Sequence, residues 1–374
     1  MGLFDWLKKK TVCSQTQVNK SSERHTTGDS ARTTIRDEQP SLETLIKNSF
    51  PSQGGLYPHE ILMLSYGDTY KTSGNNFQNF WQYQYSVQNP QNVLKSLLDR
   101  GFIEVGDLKS VLEKLKVAEL KECLNENGQK TAGKKDELIE RILNICDLQA
   151  LEHKYSDRYY VLTEKGQEEI KQNEYVIYLH RHHYMTVWEM NKRLYSNNPS
   201  GLGYRDILWG EFNRLSGEQF GNADFGLYRN TRLSMCNFLI EEKKYKNALR
   251  MIVEVASFDL SGLGNGDKPA LRKYMSGEDI VRHKMVNLYS DDNIEIITYP
   301  GIIKVFVDLQ ELLSLTDSEY ANYIYHEFAQ ISIHERVFNA EECANIVLSQ
   351  LGLEERKIKN SYKVAEQRLK SAFR

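Results

Sequence analysis

LKVAELKECLNENGQKTAGKKDELIERIL, residues 115–143, reads as two short amphipathic helices joined by an extended link. Val117, Leu120 and Leu124 fall at helical spacing on one face of the first helix, and Asn127 with Gly128 supplies the left-handed stop that ends it. The second helix opens after Gly133 and is expected to bury Leu138, Ile139, Ile142 and Leu143. Lys130 lies in the link, and Lys134 and Lys135 lie in the first turn of the second helix. The amino end of a helix carries a partial positive charge and free N–H groups, so lysines there are unfavourable unless an anion meets them. A phosphate at that point would meet the N–H groups, the dipole and two ammonium groups together, and nucleic acid is the obvious supplier.

The pattern Val117, Leu120, Lys121, Leu124, Gly128, then Gly133, Lys134, Lys135, Glu137, Leu138, Ile139, Arg141 and Ile142 resembles the SAP domain. That resemblance implies a helix, extended link and helix module that binds DNA, sometimes RNA, mainly through the second helix and its lead-in. Lys121, Lys130, Lys134, Lys135 and Arg141 are then the expected nucleic-acid-binding residues, in a module at 108–147. One departure matters: many members are clearly basic, whereas 108–147 holds as many acidic as basic side chains, so affinity must come from where the charges lie. The bland alternative is a helical hairpin whose lysines simply face water.

The bulk properties bound the rest. At 374 residues the chain exceeds one average domain. A net charge of −3 argues against a protein that coats nucleic acid over its whole surface, so binding must be local. No apolar run approaches a membrane span, and the start does not read as a signal peptide. Cys13, Cys123, Cys146, Cys236 and Cys343 show neither zinc spacing nor a disulfide framework, which fits a reducing cytoplasm. The opening MGLFDWLKKK could form a small interfacial patch, but it is too short to hold a membrane alone, and Trp6 breaks the myristoylation pattern.

Residues 1–40 are poor in aliphatics and read as a disordered leader. Helical patterns start at Leu42 and Pro58, and an aromatic-rich stretch at 75–87 reads as a packed loop or short strand. The helix from Asn89 to Gly101 has a cap, a proline at its first position and a stripe of Leu94, Leu97 and Leu98. Strands follow at 102–105 and 158–162, and Thr163 caps a helix to Asn173. Together NVLKSLLDRGFIEV and YYVLTEKGQEEI resemble a bacterial winged helix in which the SAP-like module takes the place of the wing. That resemblance makes 41–174 one domain and offers Lys95 and Arg100 as a second DNA contact; the alternative is a helix that is merely core.

Residues 175–374 read as all-helical. The stretch 228–260, with Tyr245, Ala248 and Leu249, resembles one tetratricopeptide hairpin, and neighbours are needed for a solenoid. A Gly- and Ser-rich loop at 261–268 separates it from the rest. Thr316 with Glu319 forms a capping box, Asn339 starts a helix that ends at Gly352, and 354–373 reads as a basic docking helix that aligns Ile358, Tyr362, Ala365 and Leu369.

Motifs for chemistry are lacking. The run His180 to His183 cannot face one ion from a regular helix, and His326, Glu327, His334 and Glu335 lack the HExxH spacing. There is no phosphate-binding glycine loop, no GxSxG elbow, and the pair Asp291 and Asp292 sits in a turn composition. The expected fold is mainly α with a small β component: a winged-helix-like domain carrying the SAP module, then a helical domain. The expected function is cytoplasmic, non-enzymatic DNA binding, without metal or cofactor, in a bacterial or phage-associated protein whose helical domain binds a partner or itself. Two rivals stand beside it: a helical interaction scaffold whose hairpin binds no nucleic acid, and a nucleic-acid-processing enzyme with an unrecognised site in the second half.

Overall fold

The computed structural model describes residues 40–196, 198–261, 289–290, 293–294, 298–332, 338–353 and 357–372. The expected leader (but for Pro40), the opening amphipathic patch, all but the first residue of the loop at 261–268, Asp291, Asp292, His334 and Glu335 lie outside them. Two compact units divide the chain at Pro40, and everything below concerns the second.

After a short capped helix α1 (Leu42–Lys47), the first core forms around α2 (Pro58–Tyr66). Proline at its first position and the Glu60 carboxylate, which accepts from the Tyr57 N–H at 2.9 Å, fix its start. Residues from Pro58 through Leu64 are all buried, so α2 is an axle rather than a surface helix. The aromatic-rich stretch contains the single-turn α3 (Phe80–Tyr83), whose Trp81 donates to the Tyr70 hydroxyl at 2.9 Å inside the core. Helix α4 (Pro90–Asp99) is capped by Asn89, and Gly101 at φ +72° turns the chain into β1 (Ile103–Val105).

β1 pairs antiparallel with β2 (Tyr160–Leu162), Ile103 opposite Leu162 and Val105 opposite Tyr160. On the other side of the β2 line, Lys71 bridges Tyr159 and the Tyr160 N–H reaches the Tyr70 carbonyl at 3.1 Å. Thr163 caps α9 (Glu164–Gln172), and a side chain at Gly166 would collide with the Phe102 carbonyl, so glycine lets α9 lie directly on the sheet. Helices α10 (Glu174–His182) and α11 (Val187–Ser196) then pack on α2, as do α4 and α9.

Here the structure departs from the expected boundary at 174/175. Tyr175, Val176, Leu179, Trp188, Met190, Leu208 and Phe212 share one core with Leu62, Leu94 and Phe102. The first core therefore runs on through α12 (Tyr204–Gly221).

Between β1 and β2 the chain leaves this core and returns. The Gly106 N–H donates to the Tyr159 carbonyl at 2.8 Å, which closes the neck of the excursion. A side chain at Gly106 would sit 2.9 Å from that carbonyl, so glycine is required for the approach. Past the neck, α5 (Leu108–Lys114), α6 (Val117–Glu126), α7 (Lys135–Ile145) and α8 (Leu148–Lys154) enclose a small core of their own. The hairpin read from sequence is thus the middle of a four-helix unit.

Helix α13 (Phe225–Glu241) is the wall between two cores: Met235 and Phe238 face the first, Cys236 and Leu239 the second. It is joined through Glu242, Lys243 and Lys244 to α14 (Tyr245–Ser261), the two helices of the tetratricopeptide-like hairpin, and α12 packs on its other side. Across the hairpin, Arg229 makes two 2.8 Å bonds to the buried Asp259 carboxylate, and Arg232 pairs with Glu254 at 2.8 Å. The second core then gathers α15 (Pro300–Leu313), α16 (Asp317–Gln330), α17 (Ala340–Gln350) and α18 (Lys357–Ala372), with α14 packed against α15, α16 and α17. A two-residue ladder, β3 (Tyr289–Ser290) with β4 (Asn293–Ile294), is the remaining sheet among the described residues. The expected caps at Thr316 and Asn339 are both made, and Tyr362 and Ala365 of α18 are buried as expected. The fold is mainly α with a small β component.

Candidate nucleic-acid interface

The site is built on α6, the link and α7. In α6, Leu120, Cys123 and Leu124 are buried, while Val117, expected on the same face, is 41% exposed. The helix ends in a Schellman turn: the Gln129 N–H reaches the Leu124 carbonyl at 2.8 Å, the Gly128 N–H reaches Asn125 at 2.9 Å, and Gly128 takes φ +66°. In α7, Leu138, Ile139 and Ile142 are buried and Leu143 packs at the edge. Sequence reading missed Leu108, Leu112, Cys146 and Leu151 of the same core. Their signal was present in the caps Asp107 and Asp147, each followed at once by leucine.

The link is pinned rather than loose. Arg141 donates from one guanidinium nitrogen to the Lys130 carbonyl at 2.7 Å and the Ala132 carbonyl at 3.0 Å. Gly133, at φ +139°, lets the chain enter α7 with the Glu137 carboxylate tucked beside it, where an added side-chain carbon would lie 2.6 Å from Oε2. Glu137 accepts from the Lys134 N–H at 3.2 Å.

Those contacts change the reading of the five candidate cations. Lys134 is the cap residue of α7, one position before its first turn, and Lys135 opens the helix. The Lys134 N–H at the start of α7 is met by Glu137, with Asp136 beside it, so two carboxylates in the first turn already offset part of the positive helix end that was expected to draw a phosphate. Lys135 turns away to donate to the Glu113 carbonyl at 2.7 Å, near the carboxyl end of α5, where a cation is favourable. Arg141 holds the link. Lys121, Lys130 and Lys134 remain, exposed, with ammonium groups that meet no hydrogen-bond or ion-pair partner among the described residues.

The two residues expected as a second DNA contact differ in their surroundings. Lys95 is exposed on α4. Arg100 is engaged: it pairs with Glu60 at 2.7 Å and donates to the Gly55 carbonyl at 2.8 Å, against the Phe102 ring. Its role is to tie the end of α4 to the start of α2, and burial, working against Arg100 and the Tyr57 N–H, raises the Glu60 carboxyl.

The histidine run has a structural explanation. His180 is held between the Tyr66 hydroxyl at 3.2 Å and the Tyr85 hydroxyl at 2.9 Å, and burial lowers it to about 4. His182 faces Glu241 at 3.5 Å. Among the described residues no cluster of His, Cys, Asp and Glu could hold a metal ion.

A family model for the SAP domain matches residues 111–144. The hairpin is a SAP domain. SAP domains are in general DNA- or RNA-binding modules, which supports nucleic-acid binding for this chain at that level. The match starts inside α5 and stops short of α8, so the folded unit is larger than the family pattern. No curated protein matches the chain. Among the described residues no helix is long and apolar enough to cross a membrane.

Proposed function

We propose that this chain binds DNA, in preference to RNA, through the SAP domain, and that Lys121, Lys130 and Lys134 supply the phosphate contacts while Arg141 and Lys135 position the surface that carries them. The observation that carries this reading is the division among the five cations: two are bonded to backbone carbonyls and three are unpaired and exposed. A module of balanced charge with three available ammonium groups is a modest binder, so a salt slope no steeper than about three units is expected from it alone.

The reading extends to the surroundings. The order of α2, the Lys71 bridge, α4, β1, β2 and α9 is what a winged-helix-like frame carrying the module at its wing would give, with Lys95 as its exposed cation. The helices after it are proposed to bind a protein partner or a second copy. The protein is proposed to be non-enzymatic, cytoplasmic and bacterial or phage-associated.

The test is Lys130→Ala with Lys134→Ala in the full chain, titrated with duplex and single-stranded probes over a range of salt. Folding should be unchanged, affinity should fall similarly for every sequence, and the salt slope should drop by roughly one unit per lost contact. Duplex affinity equal to the parent at every salt concentration refutes the assignment.

A further inference from the structure

Two thiols are buried together in the SAP core. Cys123 on α6 and Cys146, the residue that closes α7, are both buried in the cluster that contains Leu120, Leu138 and Ile142. The two helices that carry them pack against each other, and no other described cysteine lies in that core. The other described cysteines turn to backbone instead: Cys236 to the Ala248 carbonyl at 3.3 Å and Cys343 to the Phe338 carbonyl at 3.8 Å. Cys146 has already left the helix, at φ −81° and ψ 159°, so its χ1 is not restricted by a preceding helical turn. The segment between the two cysteines contains the whole link and Lys130, Lys134, Lys135 and Arg141.

We propose that Cys123 and Cys146 form a reversible disulfide brace that locks the SAP hairpin and its link under oxidising conditions. The bond itself does not depend on the nucleic-acid reading; only its consequence for binding rests on it. The oxidant is a low-molecular-weight disulfide such as oxidised glutathione. One cysteine thiolate attacks a glutathione sulfur, forming a mixed disulfide and releasing one glutathione thiolate. The second cysteine thiolate then attacks the protein sulfur of that mixed disulfide, closing the Cys123 to Cys146 bond and releasing the second. The two thiol protons go to the departing thiolates or to water, and two electrons pass from the protein to the oxidant. Burial raises both thiols above their usual range, so the first attack proceeds through transient opening of the module. Once closed, the ring restricts the opened ensemble.

The full chain is incubated with oxidised glutathione and then with the reduced form, and followed by peptide mapping, by the rate of tryptic cleavage after Lys130, and by duplex binding. The expected result is a linked pair of peptides holding Cys123 and Cys146, two hydrogens lighter, restored by reduced glutathione. Cleavage after Lys130 should slow by about tenfold or more. Cys123→Ser and Cys146→Ser should each stop at a single mixed adduct and show no slowing. Thiols that persist, adducts that never close in the parent, or a linked pair with unchanged cleavage each overturn the proposal. A chain that closes the bond and resists trypsin yet binds no duplex keeps the brace and sinks the nucleic-acid reading.

Discussion

Arg141 is the residue on which the division between contact and support turns. One terminal nitrogen of its guanidinium holds the link through carbonyls at 2.7 and 3.0 Å, two residues apart, a point that the shorter lysine side chain does not reach in the same way. Exposed bonds of this kind are worth about 0.5–1.5 kcal/mol each, so Arg141→Ala should weaken closure of the link by about 1–2 kcal/mol. That corresponds to roughly a 5- to 30-fold greater population of open link. Site-resolved tryptic digestion reads it directly, because Lys130 lies in the link and its cleavage rate follows the open fraction when closing is fast. Arg141→Lys decides between the two roles. If Arg141 touched phosphate, lysine would keep the charge, much of the affinity and the salt slope. If it positions the link, lysine should resemble alanine both in cleavage and in duplex affinity. An Arg141→Lys chain that binds duplex like the parent, with link cleavage as slow as the parent's, would refute the positioning role.

Replacing residues 107–158 by a short Gly and Ser linker should leave the first core cooperatively folded, because the neck is already closed by the Gly106 to Tyr159 bond and loop closure changes slowly with length; a non-cooperative melt would count against an inserted module. Arg229→Ala should destabilise by about 3–5 kcal/mol, since it leaves the Asp259 carboxylate buried without its bidentate partner, and Arg229→Met with Asp259→Leu should recover much of the loss in thermal melts. Glu211, held down to about 2 by Arg214 and then Arg193, stabilises the fold above its usual value of 4.5, and that contribution is lost as pH falls through about 2. Glu211→Gln should therefore flatten the decline in stability between those pH values; an unchanged acid limb would show that the pairing is unimportant.

What was legible in the sequence is what local chemistry decides. The caps at Asn89, Thr163, Thr316 and Asn339, the left-handed stop at Gly128 and the spacing of Leu120 with Leu124 act within one or two turns, and each stands where it was expected. The boundary at 174/175 was not legible, because the apolar stripes of α10 and α11 look the same whichever core receives them. Only packing on α2, more than a hundred residues earlier, shows that they belong to the first core.

The backbone partners of the cations were hidden for a related reason that bears on how any such hairpin is read. Lys135, Arg141 and Arg100 all make hydrogen bonds to main-chain carbonyls, at Glu113, at Lys130 and Ala132, and at Gly55. A carbonyl carries no residue identity, so a lysine bonded to the end of a neighbouring helix and a lysine waiting for phosphate are the same letter in the same pattern. The helix start shows the converse: Glu137 and Asp136 were visible beside the lysines, and the carboxylate that takes the Lys134 N–H is Glu137 itself. In a module of balanced charge, the acids in the first turn answer the helix dipole and offset its repulsion of Lys134, which stays turned to solvent. Because Glu137 stands beside Lys134, Glu137→Ala should loosen the α7 cap and, by removing a negative charge next to a phosphate contact, raise duplex affinity at low salt; affinity unchanged across the salt titration would show that the phosphate does not pass the start of α7.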